Sequence, residues 1–219
     1  NTFLKEPNLI FDIGAYDGHK TAAFIKLAKT VVCCEPDSQN FQLLKIRFRN
    51  LKKRVKLNNV AIAATNGFKE YFIHHPASAF NTLNYKFKNV VEADMLQKWD
   101  EKIKYEDKTI IPTYSLDYLI SMYGLPSFIK IDVEGYELEV LKGLNYKVPF
   151  LSLECLLPDF EVELYQEIDL IMKLDFDAKF NIAINEELLF PKFVEVEFLK
   201  KYLTNFKENH FELIIKMSV

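Results

Sequence analysis

Gly14 and Gly18, in "FDIGAYDGHK", stand directly after the first hydrophobic run of a chain that holds six glycines in all. Glycine tolerates positive φ and clears space where a ligand must come close. A helix opening after such a turn offers unpaired backbone N–H groups and a positive dipole end, which suit a carboxylate or phosphate. Glu35 ends the next apolar run, "TVVCCEP". It falls about 20 residues on, where an acid can accept both hydroxyls of a ribose. The glycine spacing is not the G-x-G-x-x-G of a dinucleotide site. Asp12 adds a second carboxylate, suited to an amine or a loop N–H. One acid for a ribose and one for an amino-acid head group describe S-adenosylmethionine better than NAD. The plain alternative is a tight turn followed by an ordinary strand-end charge.

A second constellation lies in "IKIDVEGYELEVLKGL". A buried strand ends at Asp132, and Glu134 and Gly135 are expected to open a helix, so Asp132, Glu134 and Glu137 gather near one strand end. A helix N-terminus stabilises Glu134 whatever its role, so simple capping remains an alternative. Glu154, in "FLSLEC", is expected at the end of another strand. Clustered carboxylates raise one another's pKa, which makes one of them a better general base for an alcohol nucleophile. The same acids could hold a divalent cation, a reading the sequence leaves open and does not predict. His74 and His75 close "EYFIHH" and lead into the polar loop "PASAFNTLN". Neighbouring strand residues point to opposite sides, so at most one of them, taken as His75, faces a cleft; surface histidines on a hairpin are the alternative. Tyr114, Tyr136 and Trp99 could stack on a sugar or simply fill the core.

The elements that would position these groups alternate along the chain. "NLIFDI", "TVVCCEP" and "VKLNNVAIA" read as strands, and "GHKTAAFIKLAK" and "SQNFQLLKIRFRNL" as helices, the latter with Ser38 as candidate N-cap. This order implies a parallel sheet with right-handed crossovers. Further strand–helix units follow "TIIPTYSLDYLI", "SFIKID" and "VPFLSLEC", and "HFELIIKM" closes the chain as a strand. The chain has 219 residues, a hydrophobic share of 49% and a net charge of −3, which fits a globular domain and lacks the basic face of a phosphate-backbone binder. "LKKRVK" reads as a solvated turn. Cys33, Cys34 and Cys155 form no spaced framework, so the expectation is a reducing, cytoplasmic compartment without structural zinc. No apolar run approaches the ~20 residues of a membrane helix.

The runs "FDIGAYDGHK", "VVCCEPD", "VKLNNVAIA" with "EYF", "IKIDVEGYELEVLKGL" and "FLSLEC" occur in this order. Together they resemble the motifs of the FkbM-type family of S-adenosylmethionine-dependent methyltransferases, whose first motif reads D-I/V-G-A-x-x-G. His19 stands where many members carry an acid. The resemblance implies a class I, Rossmann-like methyltransferase fold: one domain over 1–219, a seven-stranded, mostly parallel sheet with helices on both faces, and a strand-rich insertion at about 68–112 before the fourth sheet strand. "KFNIAIN" and "HFELIIKM" would form a hairpin-like antiparallel edge. It implies that Asp12, Gly14, Ala15, Tyr16 and Gly18 surround the methionine part of the cofactor. Glu35 and Pro36 would hold the ribose, Asn59 and Ala61 the adenine, and Asp132 would lie beside the sulfonium. The activity implied is O-methylation of a glycan or glycosylated small molecule, with Asp132, Glu134, Glu154 and His75 as base candidates. An NAD-linked oxidoreductase and a non-catalytic cofactor- or glycan-binding domain are the alternatives.

Overall fold

The computed structural model describes residues 4, 7–93 and 102–219. Trp99 lies outside the described residues. Strands and helices follow as β1 (Leu9–Ile13), α1 (His19–Leu27), β2 (Thr30–Cys34), α2 (Ser38–Arg47), β3 (Val55–Asn58), β4 (Ala61–Ile62), β5 (Gly67–Ile73), α3 (Tyr85–Glu92) and β6 (Asp107–Tyr114). The second half holds α4 (Leu116–Tyr123), β7 (Phe128–Ile131), α5 (Glu137–Leu141), β8 (Phe150–Leu156), α6 (Glu161–Leu174), β9 (Lys179–Ile184), β10 (Glu187–Leu188), α7 (Val196–Leu203) and β11 (His210–Lys216).

The apolar runs of β1, β2, β7 and β8 become a parallel sheet because both of their faces are covered. Phe11, Val32, Cys34, Ile131 and Leu153 pack toward α4, α5, α6 and α7. Ile10, Val31, Cys33 and Phe128 pack toward α1 and α2 on the other face. Adjacent Cys33 and Cys34 therefore serve opposite layers, as strand alternation requires, and both thiols are free. The sheet order is β10-β9-β11-β8-β7-β1-β2-β3. Strand β11 runs antiparallel to both β8 and β9, giving the expected antiparallel edge. Eight strands form this sheet rather than the expected seven. The extra strand, β10, exists because Asn185 and Glu186 adopt φ of 50° and 68° and fold the chain back on β9 in a two-residue turn. Without a glycine in that turn, the sequence carried no hairpin signal.

"VKLNNVAIA" does not make one strand. β3 pairs with β2, whereas β4 joins a separate sheet of order β4-β6-β5. That second sheet begins at Ala61 and ends at Tyr114, so it draws on residues beyond 68–112 at both ends. Two helix starts also differ from expectation. Asp37, not Ser38, caps α2: its Oδ1 accepts from Gln39 N at 2.8 Å and Asn40 N at 2.9 Å. α5 begins at Glu137, because Glu134 and Gly135 have φ of 56° and 80°, which no right-handed helix contains. Among the described residues no helix is long and apolar enough to cross a membrane.

Candidate active site at the carboxyl edge of the sheet

β1 pairs with β2 on one side and β7 on the other. The strand order reverses there, which opens a crevice beyond the strands' carboxyl ends. The Gly14–Gly18 turn sits in that crevice. Gly14 N and Ala15 N both donate to Cys34 O at 3.1 Å, locking the turn to the end of β2. Gly14 has φ of 77°, and a Cβ there would stand 1.7 Å from the Asp132 carbonyl oxygen. The glycine is thus demanded by close contact with the chain leaving β7. Gly18, at φ 81°, packs on α2: a Cβ would meet Leu44 at 2.5 Å.

Glu35 joins this turn to the next loop. Its Oε2 accepts from Tyr16 N at 2.8 Å and its Oε1 from Asp37 N at 2.8 Å. A carboxylate has about four acceptor sites, so capacity for further donors remains. Burial pushes the Glu35 carboxyl up to about 8, against the pull of the two N–H donors. A cavity of about 300 Å³ opens here, lined by Gly14, Ala15, Tyr16, Glu35, Pro36, Ala61, Asp132, Glu134 and Glu154 among the expected site residues. That volume lies at the lower end of the range for small-molecule sites.

Four expected residues stand off the wall. Asp12 is fully buried beneath it, where its Oδ2 accepts from the Thr21 hydroxyl. Gly18 faces α2. Asn59 holds the β2–α2 loop instead, donating through Nδ2 to Glu35 O at 2.8 Å and Pro36 O at 3.1 Å. His75 is exposed and turns back on its own neighbour, with Nδ1 2.9 Å from Pro76 O. The loop after it does reach the cavity, through Ser78, Ala79, Asn81 and Thr82. Asp37 Oδ2 holds it by accepting from Ala77 N and Asn81 Nδ2, each at 3.2 Å. Thr82 Oγ1 donates to Glu134 O at 2.9 Å on the other side. This segment is a clasp over the cavity. Of the aromatics, Tyr136 is buried and belongs to the main core, and Tyr114 packs against it.

The acids at the end of β7 separate by role. Glu137 is buried and accepts from Val133 N at 2.9 Å, which shapes the loop. Asp132, Glu134 and Glu154 each bring one carboxylate oxygen within 4.8 Å of the others. Lys130, invisible as a site residue inside the apolar strand "FIKI", supplies the cation for this group. Its Nζ lies 2.6 Å from Asp132 Oδ2, and its side chain is 6% exposed. Burial works against its charge, but Asp132 and Asp12 more than offset this and raise its pKa. A lysine in the middle of a buried strand was the sequence signal for it, since buried lysines are almost always paired. His210 was also outside the expected site. Its Nε2 is 2.9 Å from Glu154 Oε1. Burial raises the Glu154 carboxyl to about 7, with Asp132 adding to the effect and His210 opposing it. Burial, then Glu154 and Asp132, push Glu134 well above the usual range.

Residues 12–182 match the family model described as the Methyltransferase FkbM domain. A solved FkbM methyltransferase from Methylobacillus flagellatus KT superposes with a TM-score of 0.59 at 16% identity, over 97% of this chain and 45% of that one. The chain thus spans less than half the length of that protein. An rRNA methylase from Streptococcus thermophilus gives a TM-score of 0.49 at 11% identity, covering 99% of this chain and 90% of the other. At such identities the likeness concerns the fold. No curated protein matches the chain.

Proposed function

The chain belongs to the FkbM methyltransferase family, and from that premise we infer that it transfers a methyl group from S-adenosylmethionine to a hydroxyl oxygen of a glycan or glycosylated small molecule. One observation carries the cofactor assignment: the glycine turn and Glu35 are joined across one open cavity by the 2.8 Å Tyr16 N–Glu35 bond. Packed side chains between them, or placement on separate edges, would have removed the site.

The residues present fit the cofactor. Glu35 lines the cavity with acceptor capacity to spare, as two ribose hydroxyls require. Ala61, Ile62, Pro36 and Tyr71 offer apolar wall for an adenine, and Ala15 and Tyr16 flank the end where the methionine part would lie. Asp12 is fully buried and ties β1 to α1 through Thr21, off the cavity wall. When bound, S-adenosylmethionine supplies a methyl group already activated on a sulfonium. The chain's own residues then have to align an acceptor, exclude water and receive a proton. The clasp over the cavity keeps water out. Asp132, whose Oδ2 lies 2.6 Å from Lys130 Nζ, favours a cationic neighbour, and one of Asp132, Glu134 and Glu154 takes the proton. The glycan class of the acceptor rests on the family resemblance.

Calorimetry with S-adenosylhomocysteine and with NAD tests the reading. Micromolar binding of the first without the second supports it; binding of NAD alone removes it in favour of an oxidoreductase. Binding of S-adenosylhomocysteine with no transfer of labelled methyl to any glycan would favour a non-catalytic cofactor-binding domain.

A further inference from the structure

A second cavity, of about 250 Å³, adjoins the first and is lined by residues of β8, β9 and β11 and the turn after β9. The two share Lys20, Lys130, Asp132 and Glu154 as a common wall. Nearly every charged group of the second cavity is already paired. Lys20 meets Glu186, Lys130 meets Asp132, and Glu212 Oε2 accepts from Ser152 Oγ at 2.6 Å. Glu154 differs. His210 takes its Oε1, but its Oε2 is buried with no hydrogen-bond partner among the described residues.

Building on the methyl-transfer reading above, the geometry points to the second cavity as the acceptor site, with Glu154 Oε2 as the group that receives the acceptor's hydroxyl proton and His210 as the outlet to water. A buried acceptor atom left without a donor is costly, and a substrate hydroxyl that reached it from this cavity would satisfy it. Asp132 also faces both cavities, but its charge is committed to Lys130. Glu134 lines only the first. The Glu154 side chain is 12% exposed and that of His210 66%, so the pair runs from the interior to solvent.

In the transfer, the acceptor O–H bond breaks and its oxygen pair forms the new C–O bond. The C–S pair returns to sulfur, which loses its positive charge. The hydroxyl proton moves to Glu154 Oε2, and His210, protonated at the start, releases a ring proton to water. The charged groups that bear on Glu154 are Asp132 and Lys130 at the end of β7, Glu134 and Glu137 beyond it, and His210 on β11. His210 also feels Asp132 and Glu212. Its pKa is raised chiefly by the hydrogen bond to Glu154.

The test has three arms on the whole chain. First, an NMR pH titration of the histidine rings, without cofactor, follows His210 in wild type and Glu154→Gln. The expected result is a His210 midpoint that falls in the variant; an unmoved midpoint overturns the pairing. Second, transfer of labelled methyl to a panel of methyl glycosides is measured with and without EDTA. Glu154→Gln is expected to lower kcat at least 100-fold, with S-adenosylhomocysteine affinity kept within threefold. His210→Gln keeps a hydrogen-bonding side chain but cannot titrate. It should move the acid limb of the kcat profile to higher pH, because Glu154 loses its cationic neighbour. Transfer kept by Glu154→Gln, a wild-type profile in His210→Gln, or loss of transfer with EDTA overturns the proposal. Third, Ala183→Phe narrows the second cavity and leaves the wall of the first unchanged, so it should raise the glycoside KM at least tenfold without changing S-adenosylhomocysteine affinity. An unchanged KM overturns the acceptor site. If wild type binds no S-adenosylhomocysteine, the methyltransferase reading itself fails, whatever the NMR arm reports.

Discussion

Glu35 shows how much of a site residue is set by its own hydrogen bonds. Two backbone donors hold its carboxylate in place before any ligand arrives. Glu35→Ala should weaken S-adenosylhomocysteine binding by about 1–3 kcal/mol, the range for losing a charged partner, measured by calorimetry. The same carboxyl makes stability depend on pH. Its folded pKa of about 8 lies above the ordinary 4.5, so the folded chain binds more protons between those values. Stability of the ligand-free protein should therefore fall as pH rises through that window, and Glu35→Gln should flatten the slope of melting temperature against pH. Gly14 is constrained by contact as well as conformation. Gly14→Ala adds a Cβ 1.7 Å from a carbonyl oxygen at a positive φ. The expected loss is about 2–5 kcal/mol by denaturant titration, combining about 1–3 for overpacking with about 1–2 for left-handed backbone. Glu35 and Gly14 were legible because a strand-end acid and a turn glycine are local signals. His210 was not, because its partner, Glu154, lies on a strand 56 residues away; Lys130 was passed over although it sits in an apolar strand and its partner Asp132 is only two residues on.

At the scale of elements, Asp37 links helix α2 to the clasp. One oxygen caps α2 and the other holds the clasp over the cavity. Asp37→Ala should cost about 0.5–2 kcal/mol for the cap alone. It should also speed backbone hydrogen exchange across residues 77–82, read by mass spectrometry, whereas Ser38→Ala should do neither. The sequence pattern placed this helix correctly but named the wrong cap, since Asp37 and Ser38 are both good cap residues and only backbone geometry separates them. The division of "VKLNNVAIA" between β3 and β4 was hidden for a related reason. Both halves are apolar enough for burial, and the choice of sheet depends on β6, which arrives about 50 residues later. The start of α5 was misplaced because Glu134 is a good helix former that tertiary contacts hold at positive φ.

At the scale of the molecule, the two cavities line up along the carboxyl edge of one sheet, on either side of a wall that β7 and β8 supply. A ligand bound only by the folded state stabilises it by mass action, by about 2.7 kcal/mol at 100 times Kd. For a chain of this size, that predicts a rise in melting temperature of about 5–10 °C with saturating S-adenosylhomocysteine and none with NAD, checked by scanning calorimetry. The sequence by itself determined the alternation of buried strands and amphipathic helices, the turn that needs glycine and the acid that follows the second strand, because each is set by a residue and its near neighbours. Only the tertiary structure decided that His210 meets Glu154, which oxygen of Glu154 is left without a partner among the described residues, and that β4 leaves the main sheet for β6. Those outcomes depend on groups distant in the chain that share one low-dielectric space, and local pattern carries no record of such encounters.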